Sequence, residues 1–392
     1  MAIPRAQATG DPRPRLRFDR NELAGAFGDI GTDLPLLVGM ILAARLDGAS
    51  VLVIFGAMQI ATALVYRMPM PVQPLKAMAA LVIAQKLDGQ VLFGAGLAIG
   101  AVMLGLVLTG ALGWLGRVVP KAVVRGIQLG LGLQLSLLAL TNYVRADGGR
   151  GYALAAAAFV IVVGLLGNRR WPAAIIVVLL GLIYALIFNA DTVALATGFG
   201  FSLPKVHVPG WADMATGFLV LALPQIPLSL ANSLLATRQV ALDLFPDRPL
   251  KLRRIGLTYA AMNLVAPFFS GVPVCHGSGG MAGHYAFGAR TGGSVLLYGL
   301  FLTALGLFFG AGFDLAAHVF PLPMLGVLLV FEGLALIVLV RDLADSRAEL
   351  AIAVLVAVIA VGLPYGYAVG VVVGTPLYYL ARGRFGHLGR EV

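Results

Sequence analysis

Apolar stretches of about 15 to 25 residues recur along nearly the whole chain, separated by short polar breaks, and this pattern leaves few folds open. Fourteen can be marked, at about 23–44, 49–66, 74–87, 91–113, 120–140, 152–166, 172–188, 215–236, 253–270, 276–288, 293–312, 320–339, 348–362 and 365–381. Inside a bilayer every backbone N–H and C=O must find its partner within the protein, so such runs read as helices. The expected fold is an all-α polytopic membrane protein with the lipid bilayer as its surroundings. Only 12% of residues are charged and 59% are hydrophobic, about half the charged fraction of an ordinary soluble domain. No stretch outside the apolar runs is long enough to bury a core of its own. The third and tenth runs are too short to cross a hydrocarbon layer of about 30 Å as helices alone.

The net charge of +10 suggests nucleic acid until its distribution is read. The first 21 residues are polar, hold Arg5, Arg13, Arg15, Arg17 and Arg20, and lead into no short apolar core with a small-residue cleavage site. They are expected to be a retained cytoplasmic tail. With that end inside, 22 of the 28 lysines and arginines fall on the cytoplasmic side. Arg45, Lys86, Arg145, Arg150 and Lys205 fall outside, and Lys76 falls within a span. This is the positive-inside asymmetry, and it accounts for the charge without any nucleic acid. Cys275 is the single cysteine, so no internal disulfide is possible.

Two stretches echo each other: Met70-Pro71-Val72-Gln73-Pro74-Leu75-Lys76 enters the third run, and Val272-Pro273-Val274-Cys275-His276-Gly277-Ser278-Gly279-Gly280 enters the tenth. A weaker echo pairs Leu34-Pro35-Leu36 in the first run with Ile226-Pro227-Leu228 in the eighth. The partners lie seven segments apart, and seven is odd, so the chain reads as seven-plus-seven inverted repeats. Proline lacks an N–H and keeps the residue before it out of the helix. Segments three and ten are therefore expected to run extended to mid-membrane and then start half-helices. Helix N-termini carry free N–H groups and partial positive charge, so two of them meeting there make an anion site.

Around that point sit the candidate residues. Lys76 is costly in a span unless satisfied. It balances the charge of an oxyanion, or pairs with Asp29 or Asp33, and the two roles are compatible. Asp29 and Asp33 share a helical face and are assigned to proton coupling or charge balance, since a carboxylate repels an anionic substrate. Thr32, Gln73, Gln225, Asn232, His276, Gly277, Ser278 and Gly279 complete the expected substrate-binding set. Asn232 fits helix–helix hydrogen bonding equally well, and His276 fits a structural hydrogen bond. Glu332 is read as a packing or gating residue. No cofactor is expected, and no cationic metal site.

Phe27 through Pro35, Pro69 through Lys76, Leu223 through Leu228 with Asn232-Ser233, and Pro273 through Gly280 together resemble the molybdate-transporter family, a branch related to sulfate permeases. The resemblance implies a core domain of segments 1–4 and 8–11 (residues 22–114 and 215–312) and a gate domain of segments 5–7 and 12–14 (115–190 and 313–382). An extracytoplasmic loop, 191–214, joins the halves, and 383–392 is a cytoplasmic tail. It also implies elevator-type alternating access, a homodimer, and a tetrahedral oxyanion substrate: molybdate, with tungstate and sulfate as neighbours in shape. A chain ending this soon after its last span is expected to lack the C-terminal regulatory domain typical of sulfate permeases. The absence of a targeting signal fits a bacterial inner membrane. The rivals are a nucleobase symporter on the same fold, which needs carboxylates in segments eight and ten where this chain has none, and an anion channel. An intramembrane hydrolase is disfavoured because Ser278 lacks the serine-elbow glycine and no His-Glu-x-x-His occurs.

Overall fold

The computed structural model describes residues 15–165, 173–188 and 198–385. The tail arginines Arg5 and Arg13, the Arg169–Arg170 pair, the start of the loop between the halves and the extreme C-terminus lie outside the described residues. The first repeat contains α1 (Arg20–Ala26), α2 (Ile30–Ala44), α3 (Gly48–Tyr66), β1 (Val72–Pro74), α4 (Lys76–Gln85), α5 (Gly89–Leu108), α6 (Leu112–Val118), α7 (Lys121–Leu138), α8 (Gly148–Gly164) and α9 (Ala173–Phe188). The second contains α10 (Trp211–Leu244), α11 (Leu252–Val265), β2 (Val274–His276), α12 (Ser278–Ala286), α13 (Gly293–Val319), α14 (Leu322–Val338), α15 (Arg347–Gly362) and α16 (Gly366–Phe385). Each of the fourteen expected segments has its helix.

Several segments differ from the sequence reading. Segment one is two helices, broken at Phe27–Asp29, where Gly28 meets the backbone of Gly283 too closely for any side chain. Segment eight is one long helix that loosens into π turns over Phe218–Ala222 and Ser229–Ala236, on either side of the Pro224–Pro227 motif. Segments three and ten start their helices at Lys76 and Ser278, two residues later than expected, so Pro74 and His276 belong to strands.

Those strands carry the inverted symmetry. β1 and β2 pair antiparallel, with Val72 opposite His276, Gln73 opposite Cys275 and Pro74 opposite Val274. Superposing the two Pro-Val motifs exchanges the outer pairs and leaves the central one in place, as a two-fold axis through Gln73 and Cys275 requires. The bonds beyond the strands obey the same axis: Leu75 N–H donates to Pro273 O at 3.1 Å and Gly277 N–H to Pro71 O at 3.4 Å. Strand backbone at this depth is tolerable only when buried and paired, and each repeat adds an amide clamp. Gln59 on α3 donates to Val72 O (2.7 Å) and accepts from Val72 N–H (2.8 Å). Asn263 on α11, seven segments on, does the same for Val274 at 2.7 and 2.9 Å.

Helix pairing follows suit. α3 packs along α13 and α5 along α11, while α7 packs against α14 and α15. Small residues bring the core pairs close: Gly56 abuts Gly299 and Thr303, and Gly100 abuts Asn263 and Leu264. Membrane helices associate through such close contact because lipid supplies no hydrophobic drive.

Candidate functional site

Because the strands are antiparallel, α4 and α12 leave them in opposite directions, and their N-terminal ends point back at the strand pair from opposite sides. Two partial positive charges thus converge on non-helical backbone. What fills the space is set by side chains that α2, α10 and α14 bring in.

At the start of α4, Gln225 of α10 turns its Oε1 onto the first turn, accepting from Ala77 N–H (2.9 Å) and Met78 N–H (3.3 Å). Its Nε2 donates to Ser229 Oγ at 3.0 Å, which shares a 2.8 Å hydrogen bond with the Tyr259 hydroxyl. Gln225 is thus a helix cap with both ends engaged. Lys76, the first residue of α4, is half-buried and lies within electrostatic reach of Glu332, Asp29 and Asp33. No carboxylate among the described residues comes within ion-pair distance of it.

At the start of α12 the glycines have distinct roles. Gly277 has no room for a Cβ because the Gln73 side chain occupies that space, and at Gly280 the obstacles are the Asp29 carboxylate and Pro71. Gln73 and Asp29 are bound to each other: the Nε2 donates to Oδ1 at 2.8 Å and Oδ2 at 2.6 Å. Gly279 alone faces open space, and Ser278 beside it is half-exposed. Asp33 is fully buried, and neither oxygen has a hydrogen-bond partner among the described residues, although the Tyr298 hydroxyl of α13 stands beside it.

The expected residues therefore divide. Thr32, Lys76, Ser278 and Gly279 are open to solvent in whole or part, whereas Asp29, Asp33, Gln73, Gln225 and Gly277 are buried behind them. Asn232 is half-buried on the π stretch of α10, and its carbonyl accepts from Thr237 Oγ1 at 3.1 Å. No contact ties Asn232 to Lys76. His276 lies on the other face of β2 from Cys275, since strand side chains alternate. Its Nε2 shares a 2.6 Å hydrogen bond with Thr258 Oγ1, and its ring meets Tyr66 edge-on. That environment lies on the side of β2 away from Gln73. Its Nδ1 has no partner among the described residues.

Glu332, read from the sequence as a packing or gating residue, stands next to the expected set. This half-buried carboxylate on α14 stands beside Thr32 and within electrostatic reach of Lys76 and both aspartates. A lone acidic residue in the apolar run 320–339 was the available signal. Tyr298 and Tyr259 gave none, since buried tyrosines read as core.

Comparison with known proteins places the chain in a family and a fold. A family described as "Molybdate transporter of MFS superfamily" matches residues 21–135 and 217–336. Molybdate transporter 2 of Arabidopsis thaliana is 34% identical over 95% of this chain and 90% of its own length. Molybdate transporter 1 of Chlamydomonas reinhardtii is 28% identical over 83% and 85%. Among solved structures, the transmembrane domain of the cyanobacterial bicarbonate transporter BicA superposes with a TM-score of 0.64 at 17% identity, over 92% of this chain and 98% of that one. The murine Solute Carrier 26 family member A9 anion transporter, in its inward-facing state, gives 0.68 at 13% identity, over 92% and 68%. At those identities the structural likeness establishes the fold, seven plus seven inverted segments. The family match covers more than half of the chain and falls on both broken crossings: this integral membrane transporter belongs to the molybdate transporter family.

Proposed function

We propose that the chain is a secondary active carrier of a tetrahedral dianion, molybdate first, bound between the starts of α4 and α12. The observation that carries this reading is Lys76, a solvent-accessible lysine at mid-membrane on the first residue of a half-helix. At the start of the half-helix of the other repeat, Ser278 is partly exposed and Gly279 openly so. Charge and donors of this kind replace the water that an oxyanion sheds. The names of the curated relatives support molybdate over its look-alikes.

Charge arithmetic adds a coupling requirement. Asp29, Asp33 and Glu332 surround one lysine, so the fully ionised empty site is net negative, and a dianion makes it more so in a medium that screens poorly. We infer that protons enter with the substrate and neutralise carboxylates. Uptake then rises as the substrate side is acidified, and Asp29→Asn flattens that dependence. The elevator reading has α7–α9 and α14–α16 as the stationary gate, with Glu332 as its contact to the moving site. The protein is read as a homodimer in a bacterial inner membrane, both termini cytoplasmic, with no catalytic chemistry of its own. Binding of molybdate, tungstate, sulfate and uracil to purified protein by isothermal titration tests the substrate. Molybdate binding that uracil leaves undisturbed is expected, and binding of uracil alone overturns the reading.

A further inference from the structure

The positive-inside asymmetry leaves five cations on the face away from the N-terminal tail: Arg45, Lys86, Arg145, Arg150 and Lys205. Lys205 is paired with Asp47. Arg45 and Lys86, far apart in sequence, line one open cleft of ≈ 630 Å³, together with Asp88, Asn142, Tyr143 and Leu322. Neither makes an ion pair among the described residues. Asp88 is engaged in capping α5, where it accepts from Gln90 N–H at 2.8 Å.

The placement is not accidental to the fold. Arg45 closes α2 and Lys86 closes α4, the two helices whose first residues hold the aspartates and Lys76. Ten residues of α4 put Lys86 about 15 Å from Lys76 along the helix. The opposite wall is Asn142 and Tyr143, in the π turn Ala139–Tyr143 that follows α7, and Leu322 at the start of α14; α7 and α14 pack on α4 and α2 from the other side. Both cations also hold left-handed backbone, at φ of 53° and 50°, where glycine is the unstrained choice for a helix C-cap. A lysine or arginine at a helix C-terminus gains from the helix dipole, but that gain is equal on both faces of the membrane. Besides these two, only Arg145, Arg150 and Lys205 fall on this face.

We propose that this cleft is an outer docking site for the substrate class, a tetrahedral oxyanion held by Arg45 and Lys86 before it reaches Lys76. The proposal rests on the carrier reading above. Two cations at a concave mouth raise the local concentration of a dianion and the rate at which it enters, without taking part in binding at the centre.

The test uses the full chain in phosphatidylcholine vesicles, with molybdate and then sulfate presented to that face. Arg45→Gln with Lys86→Gln is expected to raise the KM for uptake about tenfold or more, with the maximal rate and the calorimetric Kd of the central site unchanged. Added salt is expected to narrow the gap between wild type and variant. Cys275 is buried and single, so Lys86→Cys gives a clean handle: a cationic methanethiosulfonate restores the KM and an anionic one worsens it. An unchanged KM in the double variant, or equal effects of the two reagents, overturns the docking site. A difference that appears only when phosphatidylglycerol is included assigns the cleft to a lipid phosphate and overturns it as well. Wild-type protein that carries neither oxyanion overturns the carrier reading itself, and the docking site with it.

Discussion

At the start of α4 the first N–H groups are closed by a neutral amide, Gln225, from the other repeat, and a lysine opens the helix. At the start of α12 there is no cation: serine and glycines open the helix, and its first turn lies against Asp29 and Gln73. The backbone around both points is the same, strand for strand and clamp for clamp. The repeat thus supplies a symmetric frame, and the chemistry lies in its departures from symmetry. The weaker echo makes Asp33 the counterpart of Gln225. Gln225 has both ends hydrogen-bonded, while Asp33 is buried beside the Lys76 cluster next to the Tyr298 hydroxyl, with no hydrogen-bond partner among the described residues.

The sharpest way to break this comparison is to remove the charge. Lys76→Ala is expected to weaken molybdate binding about 100-fold or more, as loss of one partner of a charge pair that the bound anion desolvates does. Ser278→Ala should cost about tenfold or less, the scale of one neutral hydrogen bond. Equal losses measured by calorimetry would mean the two ends are chemically alike. Next come the glycines. Valine at Gly277 or Gly280 must displace Gln73 or Asp29, with an expected cost of about 1–3 kcal/mol in stability, read as a lowered Tm in detergent. Gly279→Ala, facing open space, should leave Tm unchanged and act on binding alone. Gln59→Leu and Asn263→Leu sharpen the symmetric side of the comparison. Each strands a buried valine N–H and C=O, for about 1–3 kcal/mol, and the two losses should match; a large mismatch in Tm would show that one crossing bears the frame.

The smallest effect belongs to the strap that Lys205 makes between the halves. Lys205 pairs with Asp47, its N–H donates to Ser50 Oγ, and its carbonyl accepts from Ser270 Oγ, tying the loop between the halves to the ends of α3 and β2's approach. Burial pushes the Asp47 carboxyl up, but hydrogen bonds from Lys205 and Ser50 outweigh it and hold the group below its ordinary value. A depressed carboxyl contributes stability above its unfolded value of about 4 and loses it as pH falls further. The lysine is largely exposed, so Lys205→Ala should cost less than about 1 kcal/mol at neutral pH and nothing in strong acid.

The membrane class, the segment count and the inverted repeat were legible in the residues, because they follow from quantities a sequence carries locally. Apolar run length is set by bilayer thickness, and Pro71, Pro74 and Pro273 forbid helix where they stand whatever surrounds them. Lys76 was legible for the same reason: a charge in a span is expensive in any fold. The roles of amides, glycines and the histidine were not. Gln73 is committed to Asp29 and Gln225 to the α4 cap, Gly277 and Gly280 are spaces filled by other segments, and His276 lies on the far face of a strand whose first residue sets its alternation. Glu332 joins the site only because α14 packs beside α2. These are contacts between residues tens to hundreds of positions apart, and no local pattern specifies which partner a neutral donor will meet. Residue chemistry and run length settled where the chain sits and where it must break; only the packing of one repeat into the other decided which groups face each other there.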